Sequence, residues 1–301
     1  MEANASSATV FVNPCAGGGK PSRMVVRVRA AFGQAGYAAR YEEAPSVEEF
    51  RAKVRVAINA GCKTLIALGG DGTLQVLVRE ALECPVTFGI IPSGGGNDFA
   101  AALGIRNWKE AVQAIAQGKS RPMDLMRVQF KDSTATYLGG GGVGLDAQAA
   151  RLANQRFANW RGRARYLAAA ISALRGFPGV NVELEFPAEG SQATERKVLL
   201  AAALNTPSYG GGLRLAPEAR LDDGLAEIVL IEMLSKWQVA ALIPHLMLTG
   251  ELKTGRVQRF RCSRLKLKTP EGTWFHGDGE LLGQDPREIT VLPKAIRFLA
   301  P

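Results

Sequence analysis

The sequence predicts an α/β protein of two domains, an N-terminal α/β domain built on a parallel sheet and a β-rich C-terminal domain. Three observations carry this prediction. The chain has 301 residues, more than the ~250 at which a single core usually stops growing. Its first third alternates short β-rich runs with helical patterns, the signature of parallel strands joined by crossover helices. From about Met126 the pattern changes to alternating strands separated by Gly and Pro turns, which predicts mostly antiparallel pairing.

Taken in order, ATVFVNP reads as a first strand, and the segment from Pro21 to Gly36 as a helix with Pro near its start and Gly at its end. Ser46 with Glu49 three residues on forms a capping box, and Gly61 ends that second helix. KTLIAL is a buried strand that runs directly into GGDGT, residues 69–73. TFGIIPSGGGNDF, residues 87–99, repeats the arrangement of strand, glycine run and helix start, and NPCAGGGK at 13–20 is a third instance. Glycine turns at the carboxyl ends of neighbouring strands would line one crevice, where open α/β sheets bind ligands. Further strands are expected at 180–186, 196–204, 225–231, 257–268 and 287–292. Between them, residues 147–175 form one long helix or a helix pair with six arginines and no acid.

Composition narrows the function. A net charge of +9 favours anionic partners, whether nucleotide, nucleic acid or acidic lipid headgroup. The four cysteines, Cys15, Cys62, Cys84 and Cys262, are isolated, and His245 and His276 are the only histidines, so a zinc site is not expected and reduced cytosolic thiols are. The N-terminus lacks a basic segment followed by an apolar run, which argues against a secretory signal. The longest apolar stretch, residues 239–248, is far short of the ~20 residues that span a bilayer and contains Pro244 and His245.

Two motifs are rejected on their surroundings. Gly139, Gly141 and Gly144 formally satisfy G-x-G-x-x-G, but no acid stands between Asp146 and Glu183 to bind a ribose, so an NAD site is not expected. AGGGKPS has Pro21 where a Walker A loop needs Ser or Thr. Lys20 beside the glycines is either a phosphate contact or an ordinary lysine at a helix start.

Asp71, at the centre of GGDGT, poses a question. Glycines expose backbone N–H groups to an anion, whereas a carboxylate repels one. Either Mg²⁺ bridges Asp71 to a nucleoside triphosphate, or Asp71 caps the helix that follows. Asp278-Gly279 is likewise open to two readings, a plain hairpin turn of type I′ or II, or a carboxylate placed for chemistry.

GGDGT, then GGGND at 94–98, LDDG at 221–224 and HGDGE at 276–280, resembles the diacylglycerol kinase catalytic-domain family of lipid kinases, bacterial soluble members included. GGDGT alone is shared with NAD kinases and phosphofructokinases, but NTPSYGGGLRLAPEARLDDG, residues 205–224, is far more specific. The resemblance implies a Rossmann-like, NAD-kinase-like N-terminal domain (1–125 plus 289–301) and a β-sandwich acceptor domain (126–288), with the reaction in the cleft between them. It implies that Asn13, Gly69, Gly70, Gly72, Thr73, Gly94, Gly95, Gly96, Asn97 and Asp98 surround ATP, with Lys20 as the phosphate candidate and Asp71 as the central acid. Asp278 matches the general base and Glu280 its acidic partner, Asp98 and Asp124 match further acids of the site, and Asp223 with the carbonyls of Arg220 and Leu225 matches a structural Mg²⁺ site.

The implied activity is Mg²⁺-dependent transfer of the γ-phosphate of ATP to a lipid hydroxyl of diacylglycerol type. The implied location is cytoplasmic, with peripheral contact on anionic membrane, no nucleic acid partner, and a homodimer allowed. The alternatives are an NAD-kinase-like or other small-molecule kinase, and a catalytically impaired nucleotide-binding regulator. The second alternative draws on two departures from the family pattern: Gln75-Val76 where an Asn-Glu pair is usual, and Ala101 where an Arg is usual, with Lys20, Arg23 or Arg106 as compensating cations.

Overall fold

The computed structural model describes residues 7–14, 19–157, 163–187, 193–239, 241 and 255–301. The chain divides into two compact units, Met1–Met123 with Lys294–Pro301, and Asp124–Pro293. Outside the described residues lie 15–18 of the first glycine loop, with Cys15, and nearly all of the apolar stretch at 239–248.

The elements run β1 (Ala8–Val12), α1 (Lys20–Gln34), β2 (Arg40–Glu43), α2 (Val47–Asn59), β3 (Thr64–Gly69), α3 (Asp71–Ala81), β4 (Thr87–Pro92), α4 (Asp98–Ala102), α5 (Trp108–Gln117) and β5 (Ser120–Gln129). They continue with β6 (Thr134–Tyr137), β7 (Gly140–Gly144), α6 (Leu145–Gln155), α7 (Arg163–Gly176), β8 (Val180–Glu185), β9 (Thr194–Leu204), β10 (Ala226–Glu232), β11 (Val257–Cys262), β12 (Arg264–Lys268), β13 (Trp274–Gly277), β14 (Glu280–Gln284) and β15 (Glu288–Leu299).

In the first unit the strands pair in parallel in the order β15-β4-β3-β1-β2. β1 is buried at every residue and β3 at all but its first, as expected of parallel strands covered on both faces. Phe298 of β15 closes the core, its ring 5.6 Å from Phe88 and 4.9 Å from Phe99. The helix starts follow from local chemistry. Ser46 Oγ accepts the Glu49 N–H at 3.1 Å, and Asn107 Oδ1 accepts those of Lys109 and Glu110 ahead of α5. β3 and β4 pair in parallel along their whole length and end side by side, each delivering its glycine loop to the same end of the sheet.

The second unit is antiparallel. β9 carries β8 beside its N-terminal half and β7 beside its C-terminal half, with β10 on the other edge and β11 beyond it. Along β9, Val198, Ala201 and Ala203 join one cluster and Leu199, Leu200, Ala202 and Leu204 the other, the alternation slipping by one at Leu199–Leu200, where the register with β10 shifts. The glycine run of the rejected dinucleotide motif is β7, a buried strand. A Cβ on Gly142 would lie 2.3 Å from the Ala201 carbonyl oxygen, so close strand packing, not phosphate approach, requires glycine there.

Two sequence expectations need correction. The single strand expected at 257–268 is two strands with different partners, β11 on β10 and β12 between β8 and β15. The separate strands expected at 287–292 and at IRFLA are one, β15, whose Pro293 and Lys294 belong to different units. Of the two forms expected for the arginine-rich stretch, one long helix or a helix pair, the structure has the pair, α6 and α7, packed on one another.

Candidate active site

In the first unit the two glycine loops interlock. A Cβ on Gly94 would lie 2.8 Å from the Gly70 Cα, so glycine is what lets the backbones touch. Ser93 N–H donates to the Gly69 carbonyl at 2.8 Å. Asn97, at φ 58°, clasps its own loop: its Oδ1 accepts the Gly94 N–H at 3.1 Å and its amide donates to the Gly94 carbonyl at 3.0 Å. Asn13 joins the assembly, donating to Thr73 Oγ1 at 3.3 Å. Gly95 and Gly96 stand exposed at the tip, and Lys20 is exposed as the first residue of α1.

Asp71 is the first residue of α3, and its carboxylate reaches across to the other loop. Its Oδ2 accepts the Asp98 N–H at 2.9 Å and its Oδ1 the Phe99 N–H at 3.4 Å. These are unbonded N–H groups at the start of α4. Asp71 therefore caps α4, not the helix that follows it, which corrects that reading. These backbone N–H groups face the carboxylate and make Asp71 a latch between the two loops.

The departures from the family pattern also acquire places. Gln75 and Val76 are buried within α3, while Ala101 is exposed on α4. Arg106, one of the three compensating candidates, is exposed and pairs with Glu110 at 3.1 Å, a surface ion pair of the weak kind. With Ala101 exposed, Ala101→Arg should be tolerated and should lower the KM for ATP or raise kcat by about tenfold to a hundredfold, the worth of one charge-assisted contact. Steady-state kinetics against ATP concentration check this, and an unchanged KM and kcat would leave the position without a role.

In the second unit, β13 and β14 form a hairpin whose turn is Asp278-Gly279, with Gly277 paired to Glu280. Both turn residues have positive φ, 49° and 93°, the signature of a type I′ turn. The Asp278 carboxylate is held by three backbone donors: the N–H groups of Gly139 at 2.8 Å and Gly140 at 3.1 Å on Oδ1, and that of Leu138 at 2.5 Å on Oδ2. Its own N–H donates to the Gly140 carbonyl at 2.9 Å. These donors orient the carboxylate and stabilise its negative charge. The residues before β7 thus act as a cradle for Asp278, which the sequence reading missed; the glycine run was its one visible signal.

Beside this cradle is a buried polar group also not singled out beforehand. Tyr209 Oη donates to Asp146 Oδ2 at 2.8 Å and lies 2.6 Å from His276 Nδ1. Burial, and then the neighbouring Asp146 charge, hold the Tyr209 hydroxyl well above the usual phenol range, so it stays a neutral donor.

Asp124, fully buried, grips the LDDG loop. Its N–H donates to the Leu221 carbonyl and its Oδ2 accepts the Gly224 N–H, both at 2.6 Å. Asp223 in that loop does not present itself to a metal ion. Its Oδ1 accepts the Leu225 N–H at 3.1 Å and its Oδ2 is taken by the Arg261 guanidinium. Among the described residues no three His, Cys, Asp or Glu side chains are grouped to hold a metal. In the donor set that the resemblance implies, Asp223 with the carbonyls of Arg220 and Leu225, the one carboxylate already has both oxygens engaged.

Residues 7–128 match the family described as diacylglycerol kinase catalytic domain, and residues 141–300 the one described as YegS C-terminal NAD kinase beta sandwich-like domain. The chain belongs to the diacylglycerol kinase family of lipid kinases. A Mycobacterium tuberculosis protein named diacylglycerol kinase is 29% identical over 252 residues, 81% of this chain and 79% of its own length. A YegS-like lipid kinase of Pseudomonas aeruginosa is 31% identical over 252 residues, 82% of this chain and 80% of its own. The fold is shared with a crystal structure of a diacylglycerol kinase from Bacillus anthracis, with a TM-score of 0.73 at 17% identity over 100% of this chain and 98% of that one.

Proposed function

We propose that this kinase transfers the γ-phosphate of ATP to the hydroxyl of a diacylglycerol-like lipid, with the interlocked loops of the first unit holding the nucleotide and Asp278 of the second taking the proton of the acceptor hydroxyl. The observation that carries this reading is the three-donor clamp on Asp278. A carboxylate fixed by Leu138, Gly139 and Gly140 on a rigid hairpin is an oriented proton acceptor, and transfer to a hydroxyl calls for one within hydrogen-bond reach. The names of the relatives supply the acceptor class. Glu280, exposed at the first position of β14, is the acidic partner in this reading. Asp71 or Asp98 would hold a Mg²⁺ accompanying the nucleotide, which would supply positive charge to offset that of the phosphates. Incubation with ATP, Mg²⁺ and a lipid extract, followed by mass spectrometry, should yield a phosphorylated lipid. No product from any acceptor, or equal product from Asp278→Asn, would overturn the proposal.

No helix among the described residues is long and apolar enough to cross a membrane. Contact with the lipid is proposed through the arginine-rich helix pair, on which Arg151, Arg156 and Arg175 are exposed; Arg161, Arg163 and Arg165 lie outside what is described of the side chains. Each basic group near an anionic surface contributes about 1 kcal/mol and is screened by salt. Co-sedimentation with vesicles should therefore rise with the anionic lipid fraction and fall with ionic strength; binding indifferent to both would remove the membrane contact.

A further inference from the structure

The loop carrying Asp223 is fixed from three directions by groups of the protein itself. Asp124 holds it at both ends, through the Leu221 carbonyl and the Gly224 N–H at 2.6 Å each. Asp223 closes on the Leu225 N–H at 3.1 Å. The third restraint comes from β11, where Arg261 stands directly across from Glu227 of β10. From there its Nη2 reaches Asp223 Oδ2, while its Nε lies 2.8 Å from Glu227 Oε1.

We infer that Arg261 is the resident cation of this loop, standing where the family resemblance implies a structural Mg²⁺, so that the second unit keeps its fold without a divalent ion. The chemistry of the two acids explains why a guanidinium suits them. Glu227 is 5% exposed, and a carboxylate so buried needs a cation close by. Asp223 is one residue before the glycine of the loop and faces the same strand edge. The guanidinium donates a hydrogen bond to Asp223 and keeps its charge beside Glu227 as an ion pair, so one delocalised cation serves both carboxylates. A Mg²⁺ ion would instead require about six oxygens at octahedral positions, and here the lone pairs of Asp223 already face one N–H and one guanidinium. The restraint that a metal would add is also duplicated by Asp124, which sets the path of the loop independently of any ion.

The removal of Arg261 takes the nearest cation from both Asp223 and Glu227, leaving Glu227 the weaker influence of Arg259. That vacancy is suited to a hard divalent ion, so Arg261→Ser should turn a metal-independent unit into a metal-responsive one. The test is thermal unfolding of the full chain without nucleotide, in EDTA and in millimolar MgCl₂ or CaCl₂, together with hydrogen exchange of the peptide 221–232. The wild-type melting temperature and exchange should be the same in EDTA and in either salt, and the purified protein should carry no stoichiometric metal. Arg261→Ser should melt several degrees lower in EDTA, exchange faster in that peptide, and recover part of both losses with Ca²⁺ or Mg²⁺. If Arg261→Ser does not fold, Arg261→Lys serves: one ammonium cannot reach both carboxylates as the fork does, so exchange at 221–232 should still quicken. A wild-type protein that loses stability in EDTA, or that retains one tightly bound divalent ion, would overturn the inference. So would variants whose exchange at 221–232 matches wild type.

Discussion

Asp278→Asn is expected to lower kcat by about 10² or more, the usual worth of a general base, while nucleotide binding stays within about twofold of wild type. The structure makes this substitution a clean one for backbone and an unclean one for hydrogen bonds. Asn tolerates the left-handed conformation that Asp278 adopts at φ 49°, so the type I′ turn is retained. Its single amide oxygen can accept from Gly139 and Gly140, but its NH₂ then faces the Leu138 N–H, donor against donor. A modest fall in melting temperature should accompany the loss of turnover. Nucleotide affinity is spared because the glycine loops belong to the first unit and Asp278 to the second. A variant that kept a tenth of the wild-type kcat would remove Asp278 from the proton transfer, since a base worth so little is not one.

What the sequence made legible was local. Ser46 with Glu49, the β-rich run KTLIAL and the strand-glycine-helix repeat at 87–99 each act within a few residues, and the elements they announce stand where the spacing put them. The family was legible because its motifs are short and ordered along the chain. The missing parts depend on pairs far apart in sequence. Nothing near Asp278 announces that Leu138, Gly139 and Gly140 donate to it from 138 to 140 residues upstream. The glycine run that makes this cradle instead satisfied a nucleotide-loop pattern, because a strand squeezed between neighbours and a loop approaching a phosphate both demand the absence of a Cβ. Arg261 has no motif at all; it became the partner of Asp223 through the register of β10 and β11. The same dependence on packing revises the departures from the family pattern. Val76 is 9% exposed inside α3, so restoring the usual Glu there alone would bury a carboxylate and is expected to destabilise the helix, not to restore activity.

Asp71→Ala is expected to weaken nucleotide binding and to destabilise the protein even when no nucleotide or metal is present. The second effect separates the two roles that a central acid can have. A residue that served only to hold Mg²⁺ beside phosphates would, in their absence, be a charge without a purpose, and its removal would leave the melting temperature unchanged or raise it. Asp71 accepts the Asp98 and Phe99 N–H groups at 2.9 and 3.4 Å, so its removal strips the cap from α4 and cuts the tie between the GGDGT and GGGND loops. Loss of such a cap costs about 0.5 to 2 kcal/mol, which for a protein of this size is a fall of a few degrees, at about 2 to 4 °C per kcal/mol. Asp71→Asn should fall between the two, because its amide oxygen can still cap one N–H while its charge is gone. The nucleotide effect should follow the same order, wild type above Asn above Ala, whether ATP is titrated with Mg²⁺ or with EDTA, because a loosened GGGND loop presents its N–H groups poorly in either case. Binding that Asp71→Ala impairs with Mg²⁺ but leaves intact in EDTA, at an unchanged melting temperature, would make Asp71 a metal ligand and nothing more.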